Sequence, residues 1–198
     1  GAQAANGVIL ITTKRAKKGE AKVTFDATLS MQTYNSGLDL LDAYQWGDVY
    51  WSAYKYAHNG ATPQSSVYGT GAKAQLQTYK NLNGADVLPQ TTDWEDAIHR
   101  TALMQTYTIG LSKGTENGTS SFTISWLDHD GVVKGTDYRK LNSRFSTDYG
   151  FLDNRLKAGG NVTINWWKAH YMPGGAEENA VKQHPAKAVF DAEGEYVD

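Results

Sequence analysis

Between residues 105 and 167, apolar and polar residues alternate through four successive segments. Tyr107, Ile109 and Leu111 share one side of the first, and Thr106, Thr108, Gly110 and Ser112 share the other, the period of two that a pleated strand imposes. In the second, Phe122, Ile124 and Trp126 alternate with Thr123 and Ser125. In the third, Leu141, Phe145 and Tyr149 oppose Lys140, Asn142, Arg144, Ser146 and Asp148. The fourth sets Leu156, Ala158, Val162, Ile164 and Trp166 against Lys157, Gly159, Asn161, Thr163 and Asn165. Short connections, residues 113–119 and 153–155, alternate with a longer one at 128–137. The pattern predicts a mainly β, antiparallel up-and-down meander in which every strand has an apolar and a polar face.

Upstream, Val23, Phe25, Ala27, Leu29 and Met31 alternate with Lys22, Thr24, Asp26, Thr28, Ser30 and Gln32, predicting another strand of the same kind. Before it, the turn pair Asn6-Gly7 precedes the apolar, β-branched run 8–13, which reads as a strand buried on both faces. Lys14, Arg15, Lys17 and Lys18 form a solvated basic turn between them.

Between residues 33 and 101 the period becomes helical. Asp42 and Gln45 stand in capping-box positions, and Trp46, Tyr50, Ala53, Tyr54 and Ala57 recur on one stripe that docks the helix on its own domain. Thr70 is placed to cap a helix over 72–80 that Asn83-Gly84 would stop, and Thr92 with Glu95 forms a second capping box opening a helix over 93–100. Residues 172–198 lose periodicity and read as a long loop.

One apolar face per strand fits a soluble sandwich as well as a membrane barrel. Three features favour the barrel. The segments run to about ten residues, the length a tilted strand needs to cross hydrocarbon, no charged residue lies on the apolar side within them, and Tyr107, Trp126, Tyr149 and Trp166 cluster near segment ends as interfacial girdles do. Composition adds limits. The longest apolar run, residues 8–11, is far short of the roughly 20 residues of a spanning helix, so any crossing is by strands. A net charge of -2 with scattered signs leaves no nucleic-acid footprint, and the absence of Cys excludes a disulfide framework and thiol chemistry. Twelve Tyr and six Trp suit lipid headgroups or sugars equally. No initiator Met or targeting segment opens the 198 residues, and the expectation is a fragment or processed chain.

Candidate chemistry is sparse. His58, His99, His129, His170 and His184 show no metal-ligand spacing, and Asp128-His129-Asp130-Gly131 lacks the ladder of a calcium loop. Asp93, Glu95 and Asp96 crowd one short helix instead of flanking a cleft, and nucleophile-elbow, P-loop and dinucleotide fingerprints are missing. No catalytic residue, cofactor or metal is expected, and the chain is not expected to be an enzyme.

The run Gly1-Ala2-Gln3-Ala4-Ala5-Asn6-Gly7-Val8-Ile9-Leu10-Ile11-Thr12-Thr13-Lys14 resembles the end of the plug domain in SusC/RagA-type TonB-linked outer-membrane transporters. Thr92-Asp93-Trp94-Glu95-Asp96 through Arg100-Thr101, then the hairpin to Leu127-Asp128-His129-Asp130-Gly131-Val132-Val133, resembles the first barrel strands of that family, and residues 185–197 resemble one of its loops. The resemblance implies a fragment of a transmembrane β-barrel. Residues 1–20 would be the end of the plug, with Gly7, Val8, Ile9, Leu10 and Ile11 as its last strand, and the linker. Residues 21–198 would be the first part of the barrel: strand 21–32, a helical extracellular loop 33–103, strands 104–170 and an outer loop 171–198. Lys140, Asn142, Arg144, Asp148, Asn161 and Asn165 would face the lumen or plug. Tyr107, Ile109, Trp126, Phe145, Tyr149, Ile164 and Trp166 would face lipid or form its girdle. The implied function is TonB-dependent import across the bacterial outer membrane, with a SusD-like surface lipoprotein, the TonB energy-transducing complex, outer-membrane lipid and an oligosaccharide or peptide substrate as partners. The alternative is a soluble β-rich glycan-binding module that stacks sugars on Trp46, Trp51 and Trp94.

Overall fold

In the computed structural model, which describes residues 19, 21–153 and 155–197, five strands make one sheet in the order β1-β4-β5-β6-β7. They are β1 (Lys22–Gln32), β4 (Ala102–Gly114), β5 (Gly118–Asp130), β6 (Asp137–Phe151) and β7 (Leu156–His170). The last four form the expected meander, each antiparallel to the next with unbroken register. Strand β1 runs against β4: Gly19 N–H donates to Gly114 O, while Thr24, further along β1, reaches Gly110, earlier on β4. Gly110 has no Cβ for a reason of space, since one built there would lie 2.5 Å from Thr24 Oγ1. The expected plug strand, residues 7–11, lies outside the described residues.

The strands are 11 to 15 residues long, well beyond the usual five or six. Thr115 N–H closes the first hairpin onto Gly118 O at 2.7 Å, and Leu152 and Asp153 take positive φ of 52° and 54° in the turn between β6 and β7. The chain divides into two compact units. The first is this sheet, and the second consists of residues 32–102, 131–136 and 171–197.

In the second unit, α1 (Ala43–Ala57) starts where the capping box places it. Asp42 Oδ1 accepts from Gln45 N–H at 2.7 Å, and Gln45 Oε1 accepts from Asp42 N–H at 3.0 Å. Its buried face is Ala43, Gly47 and Trp51, flanked by Trp46 and Tyr50, while Ala53 and Ala57 are exposed. The stripe read from sequence is therefore rotated. The aromatics drew it through 46, 50, 53 and 57, but the helix makes its closest approach to its neighbours along the small residues Ala43 and Gly47. Tyr68 fills the space beside Gly47, donating its hydroxyl to Ala43 O at 2.6 Å, and burial first, then the Asp42 charge, pushes its pKa up to about 12.

Three further expectations are corrected. Residues 72–80 are not a helix. Backbone bonds from Gln75 N–H to Tyr68 O and from Gln77 N–H to Val67 O hold the segment extended. It continues into a hairpin of β2 (Tyr79–Lys80) and β3 (Asp86–Val87), and Asn83-Gly84, read as a helix stop, lies in its turn with Gly84 at φ 84°. The helix expected over 93–100 is α2 (Trp94–Ile98), and its cap is Asp93, whose Oδ1 accepts from Asp96 N–H at 3.0 Å. Thr92 and Glu95 form no capping box, because Glu95 is taken up elsewhere. Finally, residues 172–198 are not wholly loop: α3 (Ala176–Lys182) packs against α2.

Glu95 is buried, and its carboxylate accepts from Tyr34 Oη at 2.7 Å and Ser36 Oγ at 2.5 Å. These two hydroxyls, Ser36 first, hold Glu95 below the usual carboxylate range, and the same bond raises the Tyr34 phenol. The turn 131–136 is fixed to the end of α2: Arg100 donates through Nε and a terminal guanidinium nitrogen to Gly131 O and Thr136 O, each at 3.0 Å.

Two expectations follow for the intact protein. In Gly47→Ala the new methyl would sit 2.6 Å from Tyr68 Cε1 and 3.1 Å from Ala74 Cβ. With the Tyr68 ring pinned by its hydroxyl, we expect a loss of about 1–3 kcal/mol, read by urea-dependent proteolysis of the second unit against the exposed control Ser52→Ala. A folded carboxyl held low stabilises above its unfolded pKa and loses that contribution as pH falls through its folded value. Hydrogen exchange of α2 amides should therefore lose protection on acidification below about pH 4, whereas Glu95→Gln should be flat across that window.

Candidate functional site

Directly opposed residues of an antiparallel pair project from the same face, so the register sorts the sheet without further assumption. One face carries Ile109, Ile124, Ser143 and Ile164 as a row across β4 to β7, and Leu111, Phe122, Phe145 and Val162 as the next. The row beyond Ile109 is Tyr107, Trp126, Leu141 and Trp166, where the two indoles stack with centroids 6.2 Å apart and planes within 11°. At the other end, Tyr149 pairs with Ala158 and Phe151 with Leu156 on the same face. All seven residues expected to face lipid or form its girdle thus share a side. That side is open: Phe25, Val162 and Ile164 retain 65%, 59% and 65% of their accessibility.

Within the segments read from sequence the apolar side carries no charge, but the strands extend past the aromatic row, and there charged residues join the same side. Gln105, Asp128, Arg139 and Lys168 form the next row on the same side, and Asp130, Asp137 and His170 the row after it. Arg139 Nε meets Asp128 Oδ1 at 3.2 Å, and His170 Nδ1 lies 2.6 Å from Asp137 Oδ2. Lys113 lies beyond Leu111 at the far end of β4. One more step of the same period of two would have found these residues from sequence. Tyr107 links the rows by donating to Gln105 Oε1 at 2.7 Å. Within four residues along β5 and β7, the face passes from an isoleucine through an indole to an ionic group.

The opposite face is hydroxyl- and amide-rich. Thr108, Ser125, Asn142 and Asn165 make one row, with a 2.9 Å bond between Thr108 Oγ1 and Ser125 Oγ. Gly110, Thr123, Arg144 and Thr163 make the next, and Ser121, Ser146 and Asn161 the one after. Lys140 lies on this side opposite Trp167, and Asp148 opposite Gly159, where an added Cβ would lie 2.3 Å from Asp148 Oδ1. The six residues expected to face a lumen or plug are therefore on one face, opposite the apolar one.

The second unit contains a cavity of about 410 Å³ lined by Leu38, Asp39, Trp46, Thr91, Trp94 and Lys182 among others. It does not assemble the three-tryptophan platform of the glycan-binding alternative. Trp51 is buried elsewhere with Nε1 donating to Gly71 O at 3.0 Å, Trp94 Nε1 donates to His184 O at 3.1 Å, and Trp46 packs on the His184 ring at 4.1 Å. Burial, then the Lys187 charge, lowers the His184 pKa. Among the described residues no group of three His, Cys, Asp or Glu is placed to hold a metal ion.

No family model matches the chain. Among curated proteins it is 27% identical over 198 residues to the TonB-dependent receptor SusC of Bacteroides thetaiotaomicron, covering 99% of this chain and 17% of the receptor. It is 26% identical over 204 residues to the TonB-dependent receptor P39 of Formosa agariphila, covering 100% of this chain and 17% of that protein. Among solved structures, the RagAB peptide importer in its closed-closed state matches with TM-score 0.69 at 18% identity, over 100% of this chain and 24% of its own. A structure of the RagAB peptide transporter matches at 0.68 and 20% identity, over 98% and 24%. The chain spans about a sixth of the length of these curated relatives. The chain is thus similar in sequence to TonB-dependent receptors and shares its fold with part of the RagAB importer.

Proposed function

We propose that this chain forms part of the wall and outer loops of an outer-membrane importer driven by TonB. The observation that carries the reading is the uncovered apolar face, banded from aliphatic through aromatic to ionic rows by the strand register. From Leu141 to Phe151 on β6, and from Trp166 back to Leu156 on β7, the apolar stretch covers roughly 34 Å of strand. Tilted by about 45°, that gives a band about 25 Å tall, the height of the lipid-facing belt of an outer-membrane barrel. Tyr107, Ile109, Trp126, Phe145, Tyr149, Ile164 and Trp166 then contact lipid. Lys140, Asn142, Arg144, Asp148, Asn161 and Asn165 line the lumen or meet the plug.

A water-filled or plugged interior needs a wall that offers hydrogen bonds, and the Ser, Thr and Asn rows supply it. The mechanism is passage of a polymer breakdown product, an oligosaccharide or peptide, along that polar side once TonB has displaced the plug, with a SusD-like lipoprotein over the outer mouth. No bond is made or broken by this chain in that scheme. Its similarity to a receptor named SusC and to a peptide importer supports the class of cargo.

Ile109→Lys and Ile164→Lys, introduced singly into the intact protein, should each cost about 2–4 kcal/mol of folding stability in lipid vesicles, measured by urea titration of the heat-modifiable band. Thr163→Lys on the opposite face should cost under about 1 kcal/mol. Soluble folding of both Ile variants without detergent would overturn the membrane assignment. Cells with the intact gene should accumulate a labelled oligosaccharide or peptide pool that a deletion strain does not, and the pool retained identifies the cargo class.

A further inference from the structure

His99 lies at the end of α2 with 5% of its side chain exposed. Its Nδ1 is 2.6 Å from Glu95 O. A carbonyl oxygen can only accept, so Nδ1 carries a hydrogen in either charge state. In neutral His99 the other nitrogen, Nε2, is then an unprotonated acceptor. It is buried, it has no hydrogen-bond partner among the described residues, and the atom it faces, Glu177 Oε1 of α3, is another acceptor 4.0 Å away. Two lone pairs confront each other where a proton would make a charge-assisted bond.

We propose that His99 is a proton-operated latch joining α2 to α3. Proton uptake at Nε2 converts the unsatisfied acceptor into a donor and turns the contact with Glu177 into an ion pair, with only a short closing movement. Burial opposes the cation, and neighbouring groups offset that cost. Tyr34 stacks on the imidazole with centroids 3.5 Å apart and planes within 6°, presenting a π face to the charge. Glu95, ionised and bound by Tyr34 and Ser36, is on the same helix one turn earlier. Of the other charged groups near this end of α2, Asp96 is acidic, and the cations are occupied: Arg100 on Gly131 O and Thr136 O, and Lys134 Nζ on Ala97 O at 2.7 Å. Glu177 is 58% exposed, so water solvates its carboxylate.

In the latch, proton uptake at His99 Nε2 and docking of α3 are linked, so docking strengthens on acidification while Glu177 keeps its charge. Because α3 belongs to the segment 171–197, the order of that segment becomes a function of external pH, independently of whether the sheet is a barrel wall.

The test is hydrogen exchange of the intact protein in detergent at pH 8.0 and 5.5, corrected for intrinsic rates and read on peptides spanning residues 176–182. We expect amides of α3 to exchange about five-fold more slowly at pH 5.5. Glu177→Ala should abolish that difference. Glu177→Gln should reverse it, since the carboxamide can donate to neutral Nε2 and has no charge to attract the cation. If Glu177 serves only the first turn of the helix, both variants will lower protection equally at both pH values and keep the wild-type pH dependence; that result, or a pH-independent wild type, overturns the latch.

Discussion

A β-sheet satisfies its backbone sideways and its side chains face to face, and the second requirement governs this chain. Every strand from β4 to β7 is paired along its length, so the hydrogen-bond account of the sheet interior is closed within it. The apolar face is not. Large side chains from β1 to β7 stay accessible at a density that water tolerates poorly, because each uncovered aliphatic group forgoes the transfer free energy that burial would supply. In the proposed barrel, hydrocarbon would provide that burial without a second protein layer, and β1 and β7, which stand at the two ends of the sheet, would need lateral partners. The ordering of rows toward one end, from Ile164 to Trp166 to Lys168, follows the polarity gradient of a membrane interface.

The second unit is held by different physics. Its main buried cluster among the described residues is Ala43, Trp51, Tyr68 and Ala186, and much of its cohesion comes from polar groups spent on backbone. Trp51, Trp94 and Arg100 donate to carbonyls of segments that lack regular structure of their own, and Tyr68 and Lys134 tie such segments to carbonyls of α1 and α2. Loops satisfied in this way keep defined shapes at low apolar content. They also leave room for a group such as His99, whose buried Nε2 has no hydrogen-bond partner among the described residues.

The sorting of residues by face was legible because strand geometry fixes it: with a period of two, Tyr107, Ile109 and Leu111 share a side whatever lies around them. The same locality made the Asp42–Gln45 box readable, since both partners lie within one turn. Where it failed, a distant partner had intervened. Glu95 had a cap to serve three residues away and instead accepts from Tyr34 and Ser36, some sixty positions earlier. Residues 72–80 gave up helix for bonds to Val67 and Tyr68 and a hairpin turn at Asn83-Gly84. The stripe on α1 was misplaced because size drew attention to Trp46 and Tyr50, while packing selected the absence of size at Gly47.

By itself, then, the sequence determined the strands, their two faces and the kind of solvent each face prefers, all consequences of covalent geometry and side-chain polarity repeated every second residue. Tertiary structure decided which rows of four strands lie level with one another and that His99 meets Glu177 across 78 positions of chain. Those facts depend on hairpin length and on contacts between segments remote in sequence, and no local period encodes them.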